Sequence, residues 1–147
     1  MTALFAIALS TAVYALAISH AYWGFGGFWP AANPERLAKA VVGTPNIRRM
    51  PPPASCFVVA ALLAAVASWP LFASALLPQA WPSWLTQLAG AGMAAVFLGR
   101  GSAGYTQAWR RRFPEQPFAI YDRRYYSPLC LALGAGFLAI LLTGRTA

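Results

Sequence analysis

Four continuous apolar runs alternate along the chain with short segments that hold nearly all of its charge. The first run, Ala3 to Trp23, has Ser10, Thr11, Ser19 and His20 as its only strongly polar members. A helix rising about 1.5 Å per residue over this run crosses a hydrocarbon core about 30 Å thick. Residues 54–77, 84–104 and 127–143 repeat the pattern, and the second run is interrupted by Pro70. A proline inside a helix removes one backbone donor and clashes with the preceding turn, so a kink or an early end is expected there. The four runs, about 3–23, 54–77, 84–104 and 127–143, predict an all-α integral membrane four-helix bundle. It occupies residues 1–147 as a single domain.

Local chemistry between the runs marks further elements. Asn33 followed by Pro34 matches a helix cap and first helical position inside the first loop. Pro51-Pro52-Pro53 forms a stiff, extended lead into the second run. Ser127 and Pro128 read as cap and first position of the last span. Trp69, Trp81 and Trp84 surround an uncharged turn and read as an aromatic belt at one membrane interface. Small residues recur at helical spacing as Thr11, Ala15 and Ser19, as Ala91, Ala95 and Gly99 beside Gly90 and Ala94, and as Ala132 and Gly136. Such faces let neighbouring helices approach closely.

Composition supports a membrane setting and charge orients the chain in it. Of the 147 residues 59% are hydrophobic and only 10% charged, whereas a soluble domain carries about 25% charged residues. Eleven basic residues face three acidic ones. Nucleic acid is disfavoured as a partner, because the basic residues sit in short loops between apolar runs; membrane lipid fits them better. Arg36, Lys39, Arg48 and Arg49 lie in the first loop, and Arg100, Arg110, Arg111, Arg112, Arg123 and Arg124 in or beside the third. The second loop has none, and Arg145 follows the last span. With four spans, the positive-inside rule places the first and third loops in the cytoplasm and both termini on the non-cytoplasmic side. No basic residue precedes the first run and no small-residue cleavage site follows it, so it is expected to be retained.

Candidate chemistry collects at the predicted cytoplasmic level. His20 closes the first span, Cys56 opens the second, Arg100 lies near the end of the third, and Asp122 and Cys130 flank the fourth. Ionisable groups at such depth are costly and tend to face partners or a wet cavity. His20, the only histidine, is a candidate general acid or base. Asp122 either orients His20 or pairs with Arg100, Arg123 or Arg124, while Glu35 and Glu115 read as solvated loop residues. Gly26 and Gly27 permit a tight turn or a close approach to a ligand, without the spacing of a dinucleotide fingerprint. Cys56 and Cys130 form no CxxC and read as free thiols. No metal-binding or cofactor-binding motif is present.

The segments His20 to Pro30, HAYWGFGGFWP, and Tyr125 to Leu131, YYSPLCL, carry a resemblance to a family of small four-span bacterial membrane proteins, the domain-of-unknown-function 3995 family. The resemblance implies a multi-pass protein of the bacterial inner membrane and brings no activity with it. Two functions then compete. In the first, a non-enzymatic module binds anionic lipid, or docks on a larger membrane protein or a second copy, through its basic and aromatic loops. In the second, a cytoplasm-facing pocket of His20, Trp23, Gly26, Gly27, Trp29, Arg100, Asp122 and Tyr126 holds a hydrophobic ligand or substrate. There His20 and Asp122 would be the catalytic pair. A hydrogen bond between them in a shared cavity favours the second; a His20 capped by a backbone carbonyl counts against it.

Overall fold

The computed structural model describes residues 2–79 and 81–143. Arg145 and the two chain ends lie outside the described residues. Within them the chain is all-α, with no strand. In order come α1 (Thr2–Gly24), α2 (Pro34–Val41), α3 (Pro53–Ala73), α4 (Ser83–Ala103), α5 (Gln107–Arg112) and α6 (Phe118–Tyr121). A π-helical turn, Asp122–Tyr126, then leads into α7 (Ser127–Thr143).

Three helical segments are long and apolar enough to cross a membrane: Ala3–Gly24, Pro53–Ala73 and Phe118–Thr143. Only 28%, 28% and 33% of their most apolar windows are buried within the protein. Most of each apolar surface is therefore turned outward, as on Leu4, Ile18, Leu62 and Leu142, which suits lipid and not water. The fourth long helix, α4, matches them in length but is less apolar, because Thr86, Gln87, Arg100 and four glycines interrupt it.

The long helices pair antiparallel. Along α1 and α3, Gly24 lies against the Phe57 ring, and Tyr14 Oη meets Ser68 Oγ at 2.6 Å. Along α4 and α7 the backbones close on each other: a Cβ on Gly101 would lie 2.7 Å from Leu131 Cγ, and one on Gly134 2.7 Å from Leu98 Cγ. Each helix thus gives a glycine to the other's leucine. Between the pairs lies one core of Ala6, Leu9 and Val13 from α1, Ala67 and Trp69 from α3, Ala94 from α4, and Leu133, Phe137 and Ile140 from α7.

Several sequence expectations are corrected by this packing. The Thr11 and Ala15 face of α1 is exposed, because the hydroxyls of Thr11 and Ser19 fold back onto the Ile7 and Ala15 carbonyls and need no neighbouring helix. In α4 it is Gly90 and Ala94 that are buried, with Ala91, Ala95 and Gly99 outside, and in α7 Gly136 is buried but Ala132 is not. Trp69 does not belong to an interfacial belt. It is 6% exposed, rests on Gly90, and donates from Nε1 to the Thr86 carbonyl at 2.8 Å.

Pro70 sits inside α3 without ending it. The helix closes one turn later, at Ala73, short of residue 77: Leu76 N donates to Leu71 O at 2.9 Å and Ala75 N to Phe72 O at 3.1 Å. This is a Schellman closure in which Ala75, with φ of 54°, takes the position that favours glycine.

The last span also begins elsewhere. Ser127 is not a cap, since the helix already starts at Phe118 and runs through the π turn, where Ser127 N donates to Asp122 O. Pro128 lacks the donor that a regular turn would direct at Arg124 O, and its ring would crowd that carbonyl. The wider π turn is where the helix accommodates it.

Candidate functional site

The end of the molecule where α1 and α4 finish and α3 and α7 begin carries every basic residue among the described residues. Its construction starts from the glycine run after α1. Gly26 N donates to Trp23 O and Gly27 N to Tyr22 O, both at 3.0 Å. Gly26 supplies the positive φ, 88°, of a second Schellman closure. A Cβ on Gly27 would lie 2.3 Å from the Tyr22 ring. The two glycines therefore end α1 and turn the chain, so that Trp23 Nε1 donates to Trp29 O at 2.8 Å.

Asn33 then caps α2, its Oδ1 accepting from Arg36 N at 2.9 Å. Leu37 and Ala38 are buried and fix α2 across the end of the bundle. Glu35 is bridged to Lys39 at 2.8 Å, and this hydrogen bond and charge hold its carboxyl below the ordinary value.

The second basic segment interlocks with the first. Thr106 caps α5, whose last turn carries Arg110, Arg111 and Arg112, all exposed. Glu115 is a tie between the loops: its Oε2 accepts from Asn46 N at 2.9 Å, and its own N donates to Gly43 O at 3.4 Å. Tyr126 Oη donates to Ala40 O at 3.1 Å. Arg36, Arg48, Arg49, Arg110, Arg111, Arg112, Arg123 and Arg124 remain exposed around this joint.

Beneath it lies a buried ion pair. Asp122, 2% exposed, is paired with Arg100 and also accepts from Trp109 Nε1 at 3.1 Å and from Ser127 Oγ at 3.4 Å. The Arg100 guanidinium lies over the Trp109 ring, 4.3 Å from its centre. Gly104 makes room for this cluster, since a Cβ there would lie 1.8 Å from Ser127 Oγ and 2.8 Å from Asp122 Oδ2. The π turn brings Ser127 onto the carboxylate by placing it one turn, five residues, after Asp122.

His20 is elsewhere. Its Nδ1 donates to the Leu16 carbonyl at 2.8 Å, and its ring is 4.9 Å from that of Trp23. The donated Nδ1 proton leaves Nε2 as the acceptor of the neutral ring. With Met50 and Cys56 it lines a cavity of about 270 Å³ between α1 and α3 that Asp122 does not reach. A larger cleft of about 770 Å³ opens between the two basic segments, lined by Trp23, Trp29, Arg36, Leu37, Tyr121 and Tyr126, among others.

A family model described as "Protein of unknown function (DUF3995)" matches residues 13–137. The chain belongs to this family. The match runs from within α1 to within α7 and takes in the whole basic end. No curated protein and no solved structure matches the chain.

The expected single pocket of this DUF3995 protein is thus divided. Trp23, Trp29 and Tyr126 share the large cleft, His20 lines the neighbouring cavity, Gly26 and Gly27 terminate α1, and Arg100 and Asp122 hold each other below. The catalytic pair of His20 and Asp122 is not assembled, because each is bonded to other partners. Among the described residues no three of His, Cys, Asp and Glu gather as metal ligands. Arg36, Tyr121, Trp109 and Ser127 are the site residues that sequence reasoning missed. Arg36 was legible as a loop cation, Trp109 and Tyr121 as aromatics among arginines and Ser127 as a cap, but none was assigned to the pocket.

Proposed function

We propose that this DUF3995 protein crosses the bacterial inner membrane four times and binds anionic lipid, without catalysis, through its basic and aromatic end. The observation that carries the reading is the interlocking of the two basic segments. Glu115, Asn46, Gly43, Tyr126 and Ala40 tie them together, so eight exposed arginines surround one surface. The acids offset it little: Asp122 is paired with Arg100 and Glu35 with Lys39, which leaves one carboxylate, Glu115, against eight exposed arginines. Each basic residue near an anionic leaflet contributes about 1 kcal/mol of attraction.

The fourth crossing is α4. It is antiparallel to α7 along its length and closes on it through Gly101 and Gly134, so the two helices occupy the same depth. Two of its polar residues have internal partners: Thr86 O accepts from Trp69, Thr86 Oγ from Trp81, and Arg100 holds Asp122. Four crossings with the basic end in the cytoplasm leave both termini outside.

Lipid preference is tested by reconstituting the protein in nanodiscs of mixed phosphatidylglycerol and phosphatidylcholine and counting retained lipid by native mass spectrometry. Enrichment of phosphatidylglycerol that falls when Arg110, Arg111 and Arg112 are changed to Gln is the expected result. Equal retention of the two lipids overturns the reading, and a stoichiometric complex with a second copy or an acidic membrane protein in its place favours docking.

A further inference from the structure

The cleft between the basic segments joins a charged side chain to an aromatic wall. At the outer rim stands Arg36, with no carboxylate partner among the described residues, since the adjacent Glu35 is held by Lys39. The Tyr121 hydroxyl, on the facing wall, also has no hydrogen-bond partner there. Trp23 and Trp29 also line the cleft. The indole N–H of Trp23 is already given to Trp29 O, so its ring offers only its faces.

A further hollow of about 410 Å³ shares Trp23, Trp29 and Ser19 with the cleft and extends down the flank of α1 to Ile18, which is 67% exposed. Ser19 Oγ is turned to its own helix, at 2.8 Å from Ala15 O, so the polar groups left in this hollow are the Tyr22 hydroxyl and the Trp29 indole N–H, and it holds no charged group. Ile18 lies six residues before the end of α1, about 9 Å deeper in the membrane than Gly24 at the helical rise. The cleft alone, about 770 Å³, lies in the range of roughly 300–1,000 Å³ typical of small-molecule sites.

We infer that this cleft seats one anionic amphiphile, its headgroup on Arg36 at the rim and its hydrocarbon chain along Trp23 and Trp29 toward Ile18. The inference rests on the anionic-lipid reading above and sharpens it to one site with a head and a tail end. A free anion would use the rim and leave the aromatic walls idle, and a neutral hydrocarbon would leave Arg36 unpaired. The charge and the tryptophans together select a molecule that has both parts.

The test uses the full chain in dodecyl maltoside and follows quenching of tryptophan fluorescence by lysophosphatidylglycerol with a brominated acyl chain. Lysophosphatidylcholine with the same chain and inorganic phosphate serve as comparison probes. Saturable quenching by the anionic lipid is expected, weakened roughly tenfold or more in Arg36→Gln, the loss of one charge-assisted contact. Arg48→Gln, which removes the same charge from the same loop outside the cleft, should stay within about twofold of the parent. Ala32→Phe narrows the cleft from an exposed position on its wall and should weaken saturable quenching without touching a charge or adding a fluorophore.

Equal weakening by Arg36→Gln and Arg48→Gln overturns the single seat while leaving general attraction of anionic lipid intact. Displacement of the lipid by inorganic phosphate at equal concentration would make the site one for free anions and overturn the amphiphile. Equal quenching by the choline and glycerol lipids would overturn the seat and the broader lipid reading together.

Discussion

Replacing Asp122 with alanine removes the acceptor on which three elements converge: α4 through Arg100, α5 through Trp109, and the start of α7 through Ser127. The Asp122 side chain is 3% exposed and that of Arg100 28%. Breaking a buried ion pair from one side costs about 3–5 kcal/mol, because the remaining charge is left without compensation. Arg100 is not fully enclosed and can turn its long side chain toward headgroups, so the lower end applies, about 3 kcal/mol. That lowers the folded-to-unfolded ratio by roughly two orders of magnitude. The assay is unfolding by dodecyl sulfate in mixed micelles, followed by near-ultraviolet circular dichroism. Asp122→Asn keeps an acceptor for Trp109 and should cost about 1–2 kcal/mol. The paired change Arg100→Met with Asp122→Leu removes both charges and should recover most of the loss, as apolar replacements of buried pairs often do. A cost below about 1 kcal/mol for Asp122→Ala would refute the role of the pair as a pin. A double variant as unstable as the sum of its parts would place the stabilisation in the hydrogen bonds of Trp109 and Ser127 instead.

Further outcomes follow from individual contacts. Gly104→Ala would force a Cβ to 1.8 Å from Ser127 Oγ and should cost about 1–3 kcal/mol in the same unfolding assay. Gly92→Ala, inside α4 with no atom within 4 Å of the new Cβ, should instead stabilise by about 0.5–1 kcal/mol. Ala75→Gly relieves the left-handed residue that closes α3 and should raise stability by about 1 kcal/mol. Carbon-13 titration of Glu35 should give a midpoint below 4.5 that returns upward in Lys39→Met. Because that pKa is lowered by folding, the pair's contribution is complete above the ordinary glutamate range and fades as pH falls through the Glu35 midpoint. His20→Ala loses one bond to its own helix and should leave phosphatidylglycerol retention within about twofold of the parent.

The long helices were legible because their signal is additive: twenty apolar positions in succession outweigh any single residue. Helix ends were legible where one side chain does the capping, as at Asn33. They were not where closure depends on backbone geometry. Ala75 in a left-handed conformation has no sequence mark, and Ser127-Pro128 imitates a cap inside a helix that has already begun at Phe118. The small-residue faces show the same limit. Threonine and serine on α1 have the spacing of a packing seam, yet an intrahelical bond to the carbonyl four residues back lets them face outward. The α4 glycines divide between packed and exposed faces by rotation alone, which composition does not encode.

The separation of His20 from Asp122 has a physical cause that also bears on the cleft. Both residues lie at the same end of the bundle, but one belongs to the α1 and α3 pair and the other to the α4 and α7 pair. Across one π turn, the carboxylate of Asp122 is held by Arg100 and Trp109, while Tyr121 and Tyr126 from the same stretch line the cleft beside α2. The ion pair thus anchors the turn that presents the tyrosine wall. Asp122→Ala should therefore weaken anionic-amphiphile quenching as well as stability, although Asp122 contacts no ligand. The paired Arg100→Met and Asp122→Leu variant separates the two effects. If it recovers stability and quenching together, the anchor acts by holding the turn; recovery of stability without quenching would mean that the charge of the pair itself is felt at the cleft.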